Sequence, residues 1–449
     1  MSKARTAAFR ALRAIDAGGV DLPAALARGR ADLDDERDRA LTMEIVTGTL
    51  RWQRSLDHLI EHFARRPLAK MDFEIVTILR LSLYQVLHLD RVPAAAAVDD
   101  AVDLTRLARK PSATGFVNGV LRSVVRQRNR LPLPARPANA ADRTEALAYL
   151  GVTHSHPAWL VTRWLDRYGF EATERWVQFN NRAPGLTLRA NRLRVSRAAL
   201  QESLAGEGVE TEETTFAPDG LVVVAGNPLR TTLGGSFVVQ DESSQLITQA
   251  LGARPGETVL DLCAAPGGKT SAIAGDMAAD GVLVASDVRP RRMRLLTQTI
   301  RDAGADNVRL LQVGAEGALP FFPAFDRVLV DAPCSGLGTI RRDPDIRWRR
   351  HEEELDDLAR RQLTLLERAA AVVKPGGRLV YATCSSEPDE NEAVVERFLR
   401  ARHNEFVLVD LRPELGGHLH PLLNADGSLQ PSPRHGLEAF FAAALVRVR

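Results

Sequence analysis

Apolar positions recur every three to four residues through the first 130 residues, then give way to short apolar runs after Ser236. Over 72–88 the residues Ile75, Val76, Leu79, Leu83, Val86 and Leu87 share one helical face. The same spacing predicts helices over 5–17, 35–64, 94–108 and 114–128, with Pro93 and Pro111 at boundaries. No strand pattern interrupts them, so residues 1–130 read as an all-α domain. The Pro- and Ala-rich stretch LPLPARPANAADR marks 131–150 as a linker. Residues 151–235 read as a small α+β module. It has helices in HPAWLVTRWLDRYG and EATERWVQFNN, strands in GLTLRAN and GLVVVAG, and a helix over 197–204. From 236 to 449 the runs ETVLDLC, GVLVASD, NVRLLQV, DRVLVDAP and GGRLVYATC alternate with helical stretches such as 290–303 and 353–373. That alternation predicts an α/β domain with a parallel sheet, closed by an antiparallel strand in AFFAAALVRV.

Composition adds limits. At 449 residues, 45% hydrophobic and 26% charged, the chain is neither fibrous nor disordered and is long enough for several cores. No run of 18 apolar residues predicts a membrane span, and the N-terminus lacks a signal core. Three widely spaced cysteines argue against a disulfide framework and a metal site, so a reducing cytoplasm is expected. The net charge of +2 hides an asymmetry. Residues 1–130 hold 22 basic and 16 acidic side chains, the remainder 37 and 41. A basic front half suggests a nucleic-acid-facing module.

Ligands of an open parallel sheet bind outside the carboxyl ends of its strands. Those ends carry DLCAAPGGKT, SDVRP, DAPCSGLGT and TCSS, and all three cysteines lie there. In the first, Gly267-Gly268 lets the backbone approach a ligand as a helix starts at Lys269, one of only five lysines among 59 basic residues. Asp287, at the next strand end, is placed for ribose hydroxyls. CAAPGGKT also misses a phosphate-cradling GxxxxGK[ST] loop by one residue, which keeps a P-loop nucleoside triphosphatase open. Cys263 reads as core. Cys334 and Cys384 sit in polar, Gly/Ser-flanked loops, where a thiol has chemistry to do. Carbon 5 of a pyrimidine is a poor nucleophile until a thiolate adds to carbon 6 and makes an enamine. Asp331 is positioned to hydrogen-bond the ring nitrogen, and the second thiol serves the later release. Spacing leaves the two cysteine roles exchangeable.

DLCAAPGGKT, DAPCSGLGTIRRDPDIRW and YATCSSEPDENEAVV together resemble the motifs of the RNA cytosine-C5 methyltransferases of the Sun/Nol1/Nop2 family, and the helical front domain resembles NusB. HPAWL and VVQDESSQ between them extend the resemblance over nearly the whole chain. It implies a multidomain protein with a NusB-like all-α domain, a small α+β domain and a Rossmann-like class I methyltransferase domain. The implied cofactor is S-adenosylmethionine, contacted by Cys263, Ala264, Ala265, Pro266, Gly267, Gly268, Lys269, Asp287, Arg292, Glu316 and Asp331. Cys384 is implied as nucleophile, Cys334 as the thiol of product release and Asp331 as the base contact. In DNA cytosine methyltransferases the cysteine after proline attacks instead. The implied partner is RNA, most of all small-subunit rRNA, for a monomer without metal.

Two departures stand out. The family's Gly-Asp after the third strand is here Gly314-Ala315, followed by Glu316. Its Asp-Gly-Phe-Phe near the C-terminus is Glu438-Ala439-Phe440-Phe441. Arg341, Arg342 and Arg347, crowded with Arg349, Arg350 and Trp348, are expected to hold RNA phosphate and stack a base.

Overall fold

The computed structural model describes residues 2–449, which divide into two compact units. The first takes the chain to residue 182 and again from 340 to 352; the second takes 183–339 and 353–449.

In the first unit, the helices Lys3–Asp16, Leu22–Ala31, Glu36–Arg51, Gln53–Ala64, Phe73–His88, Ala94–Leu107 and Thr114–Arg126 enclose one core. Phe73–His88 is central, burying Ile75, Ile78, Leu79, Leu81 and Leu83 on several sides. The helix expected over 35–64 is two, meeting at Trp52, whose ψ of 11° leaves the helical range. Leu22–Ala31, capped by Asp21, was not legible because it buries only Leu22 and Ala25.

The expected linker is docked chain. Leu131 and Leu133 pack on the helical core, and the His58 ring donates to Pro132 O at 2.9 Å. Arg143–Ala148, capped by Asp142, then leads to Ala158–Asn181, which kinks at Gly169 (φ 75°). Both helices belong to the first unit. The two units divide after residue 182, with Trp164, Val177 and their neighbours buried among the helices of the first.

The second unit carries two sheets. The smaller joins β1 (Thr187–Ala190), β2 (Glu210–Glu213), β3 (Gly220–Ala225) and β4 (Phe237–Val239) in the order β2-β3-β1-β4, with the helix Arg197–Gly206 beside it. β2 reads ETEE and is an edge strand, so no hydrophobic alternation announced it. The larger sheet contains β5 (Thr258–Asp261), β6 (Val282–Asp287), β7 (Val308–Gln312), β8 (Phe325–Asp331), β9 (Val373–Thr383), β10 (Phe406–Val409) and β11 (Phe441–Arg447). Its order is β10-β11-β9-β8-β5-β6-β7, with β5 to β9 parallel and β11 antiparallel to both neighbours. Apolar clusters cover both faces, one around Leu251, Ile273 and Leu283, the other around Leu366, Tyr381 and Phe398. The order reverses between β5 and β8, and at such a switch point a crevice opens at the carboxyl ends of the strands. Arg189 of β1 ties the small sheet to that crevice, donating to Gly268 O at 3.0 Å and Ser271 Oγ at 2.7 Å. Among the described residues no helix is long and apolar enough to cross a membrane.

Candidate active site

Three aspartates end three neighbouring strands at the switch point: Asp261 on β5, Asp287 on β6 and Asp331 on β8. Asp261 is buried and accepts from Thr270 Oγ1 at 2.7 Å, while its Oδ1 meets no donor. Burial, reinforced by the charges of Asp331 and Asp287 and opposed by the Thr270 bond, pushes its carboxyl up to about 7. Asp287 is also buried, and its Oδ2 has no hydrogen bond. Arg292 stands 3.5 Å from that oxygen and donates to Ala265 O. Between these acids runs Cys263 to Lys269. Gly267 takes φ +112°, and a Cβ there would meet Leu296 and Thr299 at 3.0–3.1 Å, so the helix Gly268–Asp276 starts without a side chain at its mouth. Buried carboxylates short of donors suit a ligand with hydroxyls and positive charge. They repel a polyphosphate, and Lys269 is committed elsewhere: its Nζ lies 2.7 Å from Asp331 Oδ2. Burial alone would pull the Lys269 ammonium down, but Asp331, Cys384 and Asp261 outweigh it and hold the charge. Phe440 lies under that ammonium, 5.7 Å from ring centre to Nζ. The acid at 438 and the aromatics at 440 and 441 are buried, so the altered C-terminal motif keeps its packing.

Cys263 packs against the core, and burial pushes its thiol well up. Glu316 is exposed in a loop whose carbonyls at Gly314 and Ala315 accept from Arg368. The other two thiols meet. β8 and β9 lie side by side with Asp331 opposite Ala382, and the loops leaving them place Cys334 Sγ 3.2 Å from Cys384 Sγ. Gly338 N donates to Cys384 O at 2.9 Å, and a Cβ on Gly338 would lie 1.8 Å from Ala439 O, so only glycine fits that crossing. The hydrogen bond to Cys384, with burial, pushes the Cys334 thiol well above its ordinary value. Either sulfur can donate across this contact, and the Lys269 ammonium, within electrostatic reach of Cys384, sets a polarity within the pair. Iodoacetamide at pH 7 is expected to label Cys384 ahead of Cys334 and Cys263, read by peptide mass spectrometry. Faster labelling of Cys334 would reverse this polarity.

The arginine-rich segment departs from expectation. Residues 340–352 belong to the first unit. Arg347 is 0% exposed and donates to Ser155 O at 2.9 Å, Asn181 Oδ1 at 3.0 Å, Arg51 O at 3.3 Å and Asn180 O at 3.4 Å. It is an internal peg and meets no RNA, a correction caused by carbonyls that no spacing rule reveals. Trp348 Nε1 donates to Leu50 O at 2.6 Å, so that ring too is held. Arg341 is half-buried with its guanidinium 4.6 Å over the Phe179 ring, and Arg342 is half-buried. Sequence reasoning also missed the Lys269–Asp331 pair, although the rarity of lysine singled out Lys269.

Comparison with known proteins gives three family matches. Residues 248–446 match the family described as 16S rRNA methyltransferase RsmB/F, 2–126 the NusB family, and 156–230 the ferredoxin-like domain of RsmF/B-like methyltransferases. A Bacillus subtilis protein named probable ribosomal RNA small subunit methyltransferase B is 36% identical, covering 91% of each chain. A Pseudomonas putida ribosomal RNA small subunit methyltransferase B is 34% identical over 99% of this chain and 98% of its own. A crystal structure of a protein named PH0851 superposes with TM-score 0.79 at 28% identity, covering 98% of both chains.

Proposed function

The chain belongs to the RsmB/F family of rRNA methyltransferases that use S-adenosylmethionine, and from that premise we propose that it methylates carbon 5 of cytosine 967 in 16S rRNA through a covalent Cys384–C6 adduct. The observation that carries the reading is the 3.2 Å pairing of two thiols beside a Lys–Asp ion pair, since binding RNA alone would need neither thiol.

S-adenosylmethionine supplies an electrophilic methyl on a positive sulfonium. Asp287, with its undonated Oδ2, takes the ribose hydroxyls, and Arg292 holds the Ala265 carbonyl that shapes the loop. The segment Cys263, Ala264, Ala265, Pro266, Gly267, Gly268 and Lys269 borders the methionine end. Glu316, one residue beyond the position of the family's adenine-facing acid, is read as its substitute with a different reach, and Asp331 as bordering both cofactor and base.

Cys384, facing the Lys269 charge, adds its sulfur to C6, and the C5–C6 electron pair becomes available at C5. Asp331 hydrogen-bonds the ring at N3 and steadies the charge that develops there, held in place by Lys269. After methylation C5 must lose its proton as the Cys384–C6 bond breaks. Cys334 serves that release as the base: its sulfur takes the C5 proton, the C5–H electron pair re-forms the C5–C6 double bond, and the Cys384 sulfur leaves C6 with its bonding pair. The target base must leave its stack to reach thiols at the bottom of a crevice. Arg341 and Arg342 stay in the reading as RNA contacts; Arg347 does not.

Bisulfite mapping of rRNA and tRNA from cells with and without the gene tests the assignment. A single 16S cytosine that loses protection on deletion is the expected result. Loss at a tRNA cytosine instead would move the enzyme to another substrate, and no loss anywhere would leave an RNA-binding factor.

A further inference from the structure

Each of the two site cysteines is followed directly by a serine, Cys334-Ser335 and Cys384-Ser385, and both serines converge on one carboxylate that the mechanism has not used. Glu390 is 0% exposed, at the end of the short turn Pro388–Glu390. Its Oε1 accepts from Ser335 N at 2.8 Å and Gln362 Nε2 at 2.9 Å. Its Oε2 accepts from Ser335 Oγ and Ser385 Oγ, each at 2.5 Å, and the two hydroxyls lie 3.1 Å apart. We propose that Glu390 is a positioning residue that clasps the two cysteine loops and fixes the thiols against each other.

Four donors from three segments point at one group, which requires an acceptor at both oxygens; an ionised carboxylate provides that and an amide does not. The clasp is itself braced. Gln362 also donates to Pro333 O at 3.1 Å, one residue before Cys334. Tyr381 OH donates to Glu390 O at 2.5 Å, and Asn391 Nδ2 donates to Ser385 O at 3.0 Å. These bonds gather on the two cysteine loops through Pro333, Ser335 and Ser385, apart from the three aspartates of the cofactor crevice. A buried network that is fully satisfied rigidifies its surroundings, whereas a half-satisfied one loosens them. The clasp therefore bears on the geometry of the thiol pair and leaves cofactor binding alone. Its contribution to turnover rests on the covalent reading above; its contribution to thiol geometry does not.

The test uses the full chain with Glu390→Gln, and Ser335→Ala with Ser385→Ala as a second route to the same loosening. The thiol pair is its own ruler. Diamide draws two electrons and two protons from adjacent thiols to close a disulfide, at a rate set by how they are held. Both variants are expected to close the Cys334–Cys384 bond at least tenfold more slowly, with Cys263 labelling unchanged. Calorimetry should give an S-adenosylmethionine Kd within about twofold of the parent, and kcat on 16S rRNA should fall by up to about 10²-fold at nearly constant KM, the scale of a misplaced reacting group. Parental crosslinking and kcat in a folded Glu390→Gln protein would overturn the proposal. So would a fall in kcat matched by lost cofactor affinity, which marks general damage. If the parent methylates no cytosine yet crosslinking still depends on Glu390, the function falls and the clasp stands.

Discussion

Denaturing gels of Cys334→Ala mixed with 16S rRNA and S-adenosylmethionine are expected to show a slow, protein-linked RNA band, and gels of Cys384→Ala none. The asymmetry follows from the proton. On the proposed reading Cys334 takes it from carbon 5 at release, while Cys384, within electrostatic reach of the Lys269 ammonium, attacks carbon 6. Removing the attacking sulfur leaves carbon 5 without its enamine, so methylation stops before any bond to protein forms. Removing the partner leaves attack and methyl transfer intact and slows only the exit. A lost acid/base group costs on the order of 10²–10⁴-fold in its own step, enough to make the adduct the dominant species. Adduct with Cys384→Ala and none with Cys334→Ala would exchange the two roles. Continued methylation by Cys384→Ala would remove it as the essential nucleophile.

Arg347→Ala is expected to lower the stability of the first unit by roughly 3–5 kcal/mol while leaving S-adenosylmethionine affinity unchanged. The truncation strands the carbonyls at Arg51, Ser155 and Asn180 and the Asn181 amide oxygen, and leaves a void the length of the side chain. Lysine would not rescue it, since one ammonium cannot span four acceptors that a planar fork reaches. All five tryptophans (Trp52, Trp159, Trp164, Trp176 and Trp348) lie in the first unit, so tryptophan fluorescence in urea reports that unit alone. Its midpoint should fall by about 1 M or more. An unchanged midpoint with weakened RNA binding would return Arg347 to the RNA-contact role that its spacing suggested.

The parts legible in the sequence were those written in local pattern. The strand ends that carry Asp261, Asp287, Asp331 and the two loop cysteines were placed by short apolar runs, and the closing strand β11 by its own run. The helices of 1–130 followed from their 3.6-residue period, apart from Leu22–Ala31, which buries too little to show one, and the break at Trp52, where no Gly or Pro marks the turn. What was hidden depends on partners far away in sequence. Glu390 looks like one acid in PDENE until Ser335, 55 residues earlier, is seen to donate to it. Arg347 looks like a surface cation until the carbonyls of residues 51, 155 and 180 surround it. β2 could not be heard above its own charges, and Glu316 remains a loop acid whose departure from Asp the fold tolerates.

Because the peg comes from residues 340–352, the first unit is discontinuous in time as well as in sequence. On the ribosome, the helices up to residue 182 emerge first and must wait for 165 further residues before Arg347 exists to fill its socket. At roughly 5–20 residues per second that wait is on the order of 10–30 s, long compared with helix packing. During it the carbonyls at 51, 155 and 180 lack the donors that Arg347 later supplies. Completion of the first unit is thus timed by synthesis of much of the second: the segment that closes the first body begins one residue after Thr339, in the polypeptide that has just laid down Cys334.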